Sequence, residues 1–282
     1  MSIAASDIER HIARLHGNGR LRVWSLIITF FGDVVALRGG RVALGTLQDA
    51  MGLLQIEPGA VRTALSRLAR EGWVERERQG RLSFYRLTGE GRASFDEPTK
   101  RIYATAPENW DGRWTVAIDA GDNSVTLGKR GFVPLGGKAW IRVGAAGDVA
   151  AGDVLFVTGT GSDMPSDLLA LWNVDEQAAY YKTLVDNWCS FDCLQQLTPG
   201  AAMAARTLLI HDWRRIVLRD PGLPDALLPD DWIGHTARKL VARTYGNLLP
   251  GSEKWLDDNS LPAHSEPDAI NQRFNVLRNI AI

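Results

Sequence analysis

Apolar positions recur at helical spacing through the amino-terminal quarter of the chain, and glycine or proline marks the breaks between runs. Ile8, Ile12 and Leu15 share one helix face behind the capping-box pattern Ser6-Asp7-Ile8-Glu9, and Gly17 ends the run. This predicts an arm helix within residues 1–20. Residues 23–35 read as a buried helix that stops near Gly32-Asp33, and Gly39-Gly40 as a turn. Leu47, Ala50, Met51 and Leu54 mark a helix over 44–54. Pro58 suits the first turn of the next helix, where its missing N–H costs nothing. In that helix, over 58–70, Val61, Ala64, Leu65 and Leu68 fall on one side. Arg62, Thr63, Ser66, Arg67 and Arg70 fall on the other. Gly72 ends it. Two strands then flank the turn Gln79-Gly80-Arg81, so a hairpin is expected with Arg78 and Arg81 at its tip.

Helix, tight turn, helix with an Arg/Ser/Thr outer face, then a basic hairpin is the order of a winged helix-turn-helix, expected over 21–90. Arginine reaches two acceptors of a guanine edge or clamps a phosphate, and short hydroxyls let the backbone come close. The expected DNA contacts are therefore Arg62, Thr63, Ser66, Arg67 and Arg70 in the major groove, with Arg78 and Arg81 on the sugar-phosphate backbone. Charge sharpens this picture. The whole chain carries a net charge of −1, but residues 62–86 hold seven arginines against three acids. A local basic patch on a mildly acidic protein concentrates its field on one face.

The remainder is patterned differently. Residues 91–108, with Gly91, Pro98 and Pro107, read as a linker. Strands are expected at 114–118, 138–143 and 153–158, followed by a turn at Gly159-Thr160-Gly161-Ser162, which lacks the lysine of a phosphate-binding loop. They define a middle domain over 109–165. From 166 to 282 the pattern is helical, with runs at 175–190, at 232–249 ending before Pro250, and one capped by Thr198 with Pro199 next. Asn259 to Pro267 looks loose, and Ile270, Phe274 and Leu277 suit a last amphipathic helix. The fold class is α+β. Cys189 and Cys193 fit buried side chains in a reducing compartment, and the tryptophans from Trp172 to Trp232 fit core packing. No signal segment or long apolar run is present, so a cytoplasmic protein off the membrane is expected.

The stretch Leu44-Gly45-Thr46-Leu47, then Ala60 through Trp73 (Ala-Val-Arg-Thr-Ala-Leu-Ser-Arg-Leu-Ala-Arg-Glu-Gly-Trp) and Tyr85-Arg86-Leu87-Thr88, resembles the PaaX family of phenylacetate-catabolon repressors. Asn109-Trp110-Asp111-Gly112-Arg113-Trp114 is similar to a second block of that family. His211-Asp212-Trp213-Arg214-Arg215, Asp220-Pro221-Gly222-Leu223-Pro224 and Leu227 through Trp232 are similar to a third. The resemblance implies a winged helix, a ferredoxin-like middle domain and a helical C-terminal domain. It also implies a homodimeric repressor on double-stranded DNA, released by an aryl-acyl-CoA such as phenylacetyl-CoA, with no resident cofactor. Within the third block His211, Arg214 and Arg215 are the candidates for effector contact, the guanidinium groups because they hold phosphates well. One departure stands out. Between the first middle strand and Gly131-Phe132 there is only the Gly-rich 120–130, where the family pattern implies a long basic helix, so the middle domain is expected to be trimmed.

Enzyme readings have less footing. There is no Gly-x-Ser-x-Gly elbow, and His11, His16, His211, His235 and His264 form no metal-ligand pair. The sharpest alternative is a metal-dependent nuclease using Asp119, at the end of the first middle strand, shared between two protomers. A DNA-binding regulator with no small ligand is the other. No catalytic or metal-binding residue is assigned.

Overall fold

The computed structural model describes residues 3–17, 22–104, 110–145, 147, 152–161, 166–193, 197–265 and 268–275. No helix among them is long and apolar enough to cross a membrane. The chain divides into two units. One comprises Met1–Thr105, Thr183–Leu218 and His235–Ile282, and the other Ala106–Lys182 and Arg219–Gly234. The described residues mix helices with two antiparallel sheets, an α+β fold.

The first unit begins with α1 (Ile3–Gly17), whose start at Ile3 leaves Ser6 inside the helix rather than at its cap. Next comes α2 (Val23–Asp33), apolar nearly all round because it is covered on two sides: it packs against both the helix that carries the arginines and a later helix. A three-residue strand, β1 (Arg41–Ala43), leads into α3 (Leu44–Gly52) and α4 (Pro58–Arg70). Between them Gln55 takes the left-handed conformation at φ 58, and the Ile56 N–H reaches back to the Met51 carbonyl. Gly72 does the same after α4 at φ 77, with the Trp73 N–H on Leu68. The hairpin β2 (Val74–Gln79) and β3 (Leu82–Leu87) turns on Gly80, which supplies φ 61. β1 pairs with the far edge of β3, giving the order β1-β3-β2. At three residues, β1 is too short to show a period in sequence.

The expected linker over 91–108 is mostly helix: α5 spans Gly89–Tyr103. Tertiary partners overrule its glycines and Pro98. Thr88 Oγ1 accepts from the Gly91 N–H at 2.9 Å and donates to the Gly72 carbonyl at 2.5 Å, so one side chain caps α5 and ties it to the end of α4. Ile102 and Tyr103 are buried at the other end. Gly91 itself is fixed by contact, since a Cβ there would lie 2.2 Å from the Trp73 carbonyl oxygen. Gly91→Ala is expected to destabilise the protein by about 2–3 kcal/mol in urea unfolding, because backbone on both sides must move.

In the second unit β4 (Arg113–Asp119), α6 (Ser124–Lys129), β5 (Val133–Gly136), β6 (Ala139–Val143) and β7 (Val154–Thr160) form an antiparallel sheet in the order β5-β6-β4-β7. The Gly-rich segment after β4 still forms a helix, α6, of six residues. One sheet face packs Ala117, Trp140 and Phe156 against Leu127 of α6 and Phe132. The other packs Trp114, Val116 and Ile141 against Trp172, Leu223 and Leu227. Gly159 and Thr160, expected in a turn, lie inside β7, where they pair with Trp114 and Arg113; Ser162 lies outside the described residues. α7 (Ser166–Leu169) precedes α8 (Val174–Trp188).

The helical region over 166–282 does not form a unit of its own. α9 (Pro199–Val217) and most of α10 (Ile233–Asp258) belong with the amino-terminal helices. Thr198 caps α9 through its Oγ1, with Pro199 at the first position. α10 does not stop before Pro250. It runs on for two turns, held by buried Ser252, Trp255 and Leu256. Packing here outweighs the roughly 3 kcal/mol that an interior proline costs. α11 (Ala269–Gln272) is a single turn with Ile270 and Phe274 buried; Leu277 lies outside the described residues.

Candidate nucleic-acid interface

α4 is divided as its spacing requires. Val61, Ala64, Leu65 and Leu68 are buried, while Arg62, Thr63, Ser66, Arg67 and Arg70 are exposed. Gln48 of α3 donates to the Pro58 carbonyl at 3.2 Å, pinning the start of α4 to its neighbour. In the hairpin everything from Glu75 to Leu82 is exposed. The arginines then separate into two sets that spacing does not reveal. Arg67 pairs with Glu71 at 2.7 Å and lies 5.3 Å over the Trp24 ring of α2. Arg86 pairs with Glu75 at 2.9 Å, and Arg76 donates to Ser83 Oγ at 2.7 Å. Arg62, Arg70, Arg78 and Arg81 are exposed and have no hydrogen bond or ion pair to any described residue. Thr63 turns its hydroxyl back to the Gly59 carbonyl at 3.0 Å. The surface therefore offers four unneutralised guanidinium groups, two on the helix and two at the hairpin tip.

The effector candidates have other occupations. The hydroxyl of Thr29, in α2, donates to the Ser25 carbonyl and accepts from Arg214 at 2.9 Å. Its remaining lone pair faces His211 Nδ1 at 3.1 Å, so that nitrogen carries the proton. Burial, then the neighbouring Arg214 and Arg215, push His211 down to about 3, so it is neutral. Asp212 points elsewhere, accepting from Trp188 Nε1 at 3.1 Å and from Arg14 of α1 at 3.3 Å. Trp213 Nε1 donates to the Ile102 carbonyl of α5 at 2.7 Å. Four consecutive residues of α9 thus fasten α1, α2, α5 and α8. Of the three candidates, Arg215 alone keeps an exposed side chain. Asp119, the nuclease candidate, closes its own loop: it accepts from the Asn123 backbone and side chain at 2.8 and 2.9 Å and from the Gly121 N–H at 3.1 Å. The Asn123 bonds hold its carboxyl below the usual range. Cys189 is exposed, not buried as expected, whereas Trp172, Trp188, Trp213 and Trp232 are core residues.

Comparison with known proteins sets this arrangement in a family. The family model for a PaaX-like protein matches residues 22–91, and that for the PaaX-like protein C-terminal domain matches 172–258. The transcriptional repressor PaaX of Escherichia coli (strain K12) is 31% identical over 255 residues, covering 81% of each chain. The chain belongs to the PaaX family. A solved structure of an uncharacterized Mycobacterium tuberculosis protein shares the fold, at a TM-score of 0.50 and 22% identity over 77% of this chain and 91% of that one.

The two PaaX-matched stretches meet in a buried ionic cluster that sequence reasoning missed. Asp33, at the end of α2, is 2% exposed. It accepts from Arg206 at 2.7 Å, Arg273 at 2.7 Å, Tyr103 at 2.6 Å and Tyr245 at 2.9 Å. Arg206, fully buried on α9, also binds Glu253 of α10 at 2.5 Å. Glu253 in turn holds Arg38 at 2.5 Å and His264 at 2.7 Å, and Arg38 reaches Asp257 at 2.8 Å. Arg38, Arg206 and Arg273 balance Asp33, Glu253 and Asp257. The Arg206 and Arg273 charges hold Asp33 ionised against its burial, and Arg206, then Arg38, hold Glu253 down to about 2. The available signal was a lone charge inside an apolar run: Asp33 closing Leu26–Phe31, and Arg206 before Leu208–Ile210.

Proposed function

We propose that this chain is a transcriptional repressor that binds double-stranded DNA as a homodimer, not an enzyme. Residues 22–88 act as a winged helix-turn-helix, with α4 as the recognition helix and the β2–β3 hairpin as the wing. The second unit's sheet, ordered second-third-first-fourth in its own strand sequence, is a trimmed ferredoxin-like domain. The observation that carries the reading is the set of four free, exposed guanidinium groups, Arg62, Arg70, Arg78 and Arg81, on one helix and its adjoining hairpin. Unneutralised arginines displace the counterions condensed on a duplex and so bind phosphate strongly. Arg67 joins them by exchanging Glu71 for DNA, while Ser66 and Thr63 allow close approach of the backbone. The name of the Escherichia coli relative, a transcriptional repressor, supports the direction of regulation.

The effector is an aryl-acyl-CoA, phenylacetyl-CoA first among them, and Arg215 is the exposed cation offered to its phosphates. An effector that prefers a conformation with the wrong spacing between two recognition helices releases DNA by population shift. The test is a gel shift on DNA from the chain's own promoter region, with and without phenylacetyl-CoA. Release at micromolar ligand supports the reading, and retention at saturating ligand rejects it. In the same assay Arg62→Ala is expected to weaken binding by about 1–3 kcal/mol. Arg67→Ala is expected to cost less, since its lost contact is partly offset by the Glu71 pair it no longer has to break.

A further inference from the structure

Side chains alternate between the two faces of the β2–β3 hairpin, and cross-strand partners share a face. At the base of the inner face Val42, Val74, Tyr85 and Leu87 are buried. On the outer face each cation is matched: Arg86 pairs with Glu75 at 2.9 Å, and Arg41 of β1 lies 3.5 Å from Glu77. The free guanidinium groups, Arg78 and Arg81, are at the far end. Beside them is the last pair of the hairpin, Gln79 opposite Leu82. Leu82 is 60% exposed, and among the described residues of the first unit it is the one large hydrophobic side chain left so open. The tip is also held in place. Arg41 donates to the Gln79 side chain at 2.7 Å, while its guanidinium lies 3.8 Å from the Phe84 ring centre. One side chain thus spans both strands beyond Phe84, where β1 itself stops pairing.

We infer that Leu82 is a specificity-determining residue that reads the minor groove: the wing tip seats it against A·T base pairs, between two phosphate strands gripped by Arg78 and Arg81. This deepens the DNA reading above and rests on it. With its outer face neutralised and the base of its inner face buried, the hairpin offers phosphates its tip rather than its length. Its strands are about 4.8 Å apart before side chains are counted. A minor groove about 6 Å wide therefore admits only side chains of the tip. An apolar side chain there favours A·T pairs, because guanine carries an amino group into that groove. The group takes up the space, and it would lose its water to a neighbour that accepts no hydrogen bond. Minor-groove binders use leucine and similar apolar side chains in this place.

The test selects duplexes from a pool of random sequence with the full wild-type chain and with Leu82→Ala, then measures affinities for the duplex that wild type prefers. Wild type is expected to choose A·T pairs beside its major-groove positions. Leu82→Ala is expected to accept either pair there and to bind the wild-type choice about fivefold more weakly. Its salt slope should be unchanged, since no charge is lost. Leu82→Met is expected to keep the preference. Changing the chosen A·T pairs to G·C should weaken wild type by a similar factor, and inosine·cytosine should restore it. Inosine shows guanine's major-groove edge but lacks the amino group in the minor groove. Equal preference in wild type and Leu82→Ala, or inosine that behaves as guanine, overturns the inference and leaves the DNA reading intact. A pool in which no duplex is enriched rejects both.

Discussion

Asp33→Ala is expected to lower the stability of the protein by about 3–5 kcal/mol, the range for breaking a buried ion pair from one side. The carboxylate serves four donors at 2.6–2.9 Å. Its loss strands Arg206 and Arg273, which are 0% and 6% exposed, together with two buried tyrosine hydroxyls. Glu253 compensates Arg206 only in part, since it also serves Arg38 and His264. Asp33→Asn keeps the shape and one acceptor and is expected to recover a fraction of the loss. The effect reaches the proposed interface because α2 lies directly behind α4. Urea unfolding of the two variants measures it, and a double-mutant cycle with Arg206→Ala should give a coupling above about 1 kcal/mol. A loss below 1 kcal/mol for Asp33→Ala would mean that the cluster is solvated.

Acid is expected to unfold the protein in a window set by two buried histidines. His11 is pushed down to about 4 by burial and then by Arg14, whose guanidinium donates to its Nδ1 at 2.6 Å. Burial, then Arg214 and Arg215, push His211 to about 3. Both stand at 6.5 in an unfolded chain. Below that value the unfolded state takes up protons that the folded state refuses, so stability falls as pH falls. Each histidine costs about 1.4 kcal/mol per pH unit. The loss begins near pH 6.5 and ends near 4 for His11 and near 3 for His211. At pH 4.5 the two together remove about 5 kcal/mol, comparable with the whole stability of an ordinary domain. Glu253 has the opposite charge and acts in the same direction. Its folded value, about 2, lies below the ordinary 4.5; the stability it adds is complete above 4.5 and lost between there and 2. Denaturant midpoints between pH 7 and 4 test this. Replacing both histidines with glutamine should flatten the upper part of the curve, and an unchanged slope would show that neither ring is excluded from protons.

The difference between what was legible and what was not follows the range of each interaction. α4 was legible because Val61, Ala64, Leu65 and Leu68 repeat at one period with nothing to contradict it, and the hairpin because Gly80 sits where a two-residue turn requires φ 61. α5 and the end of α10 are not legible, because Pro98, Gly89 and Pro250 argue locally against helix, and only the partners of Thr88, Tyr103, Ser252 and Trp255 reverse that argument. The Asp33 cluster joins residues 173 and 240 positions apart, beyond any periodicity. His211 and Arg214 illustrate the same limit from the other side. Their residue types suit a ligand site, yet a single threonine hydroxyl on α2 engages both. Among the arginines, Glu71 four residues after Arg67 was a readable pairing signal, but the stacking of Arg67 on Trp24 was not.

The salt dependence of duplex binding puts the proposed DNA-binding surface to its sharpest trial. Wild type and a variant with Arg62, Arg70, Arg78 and Arg81 all changed to alanine are titrated with DNA over a series of salt concentrations. If those four groups meet phosphates, the logarithmic slope should flatten by about 3 to 4 per bound subunit in the variant, with affinity falling at every salt concentration. Parallel lines of equal affinity would place the duplex on another face of the protein.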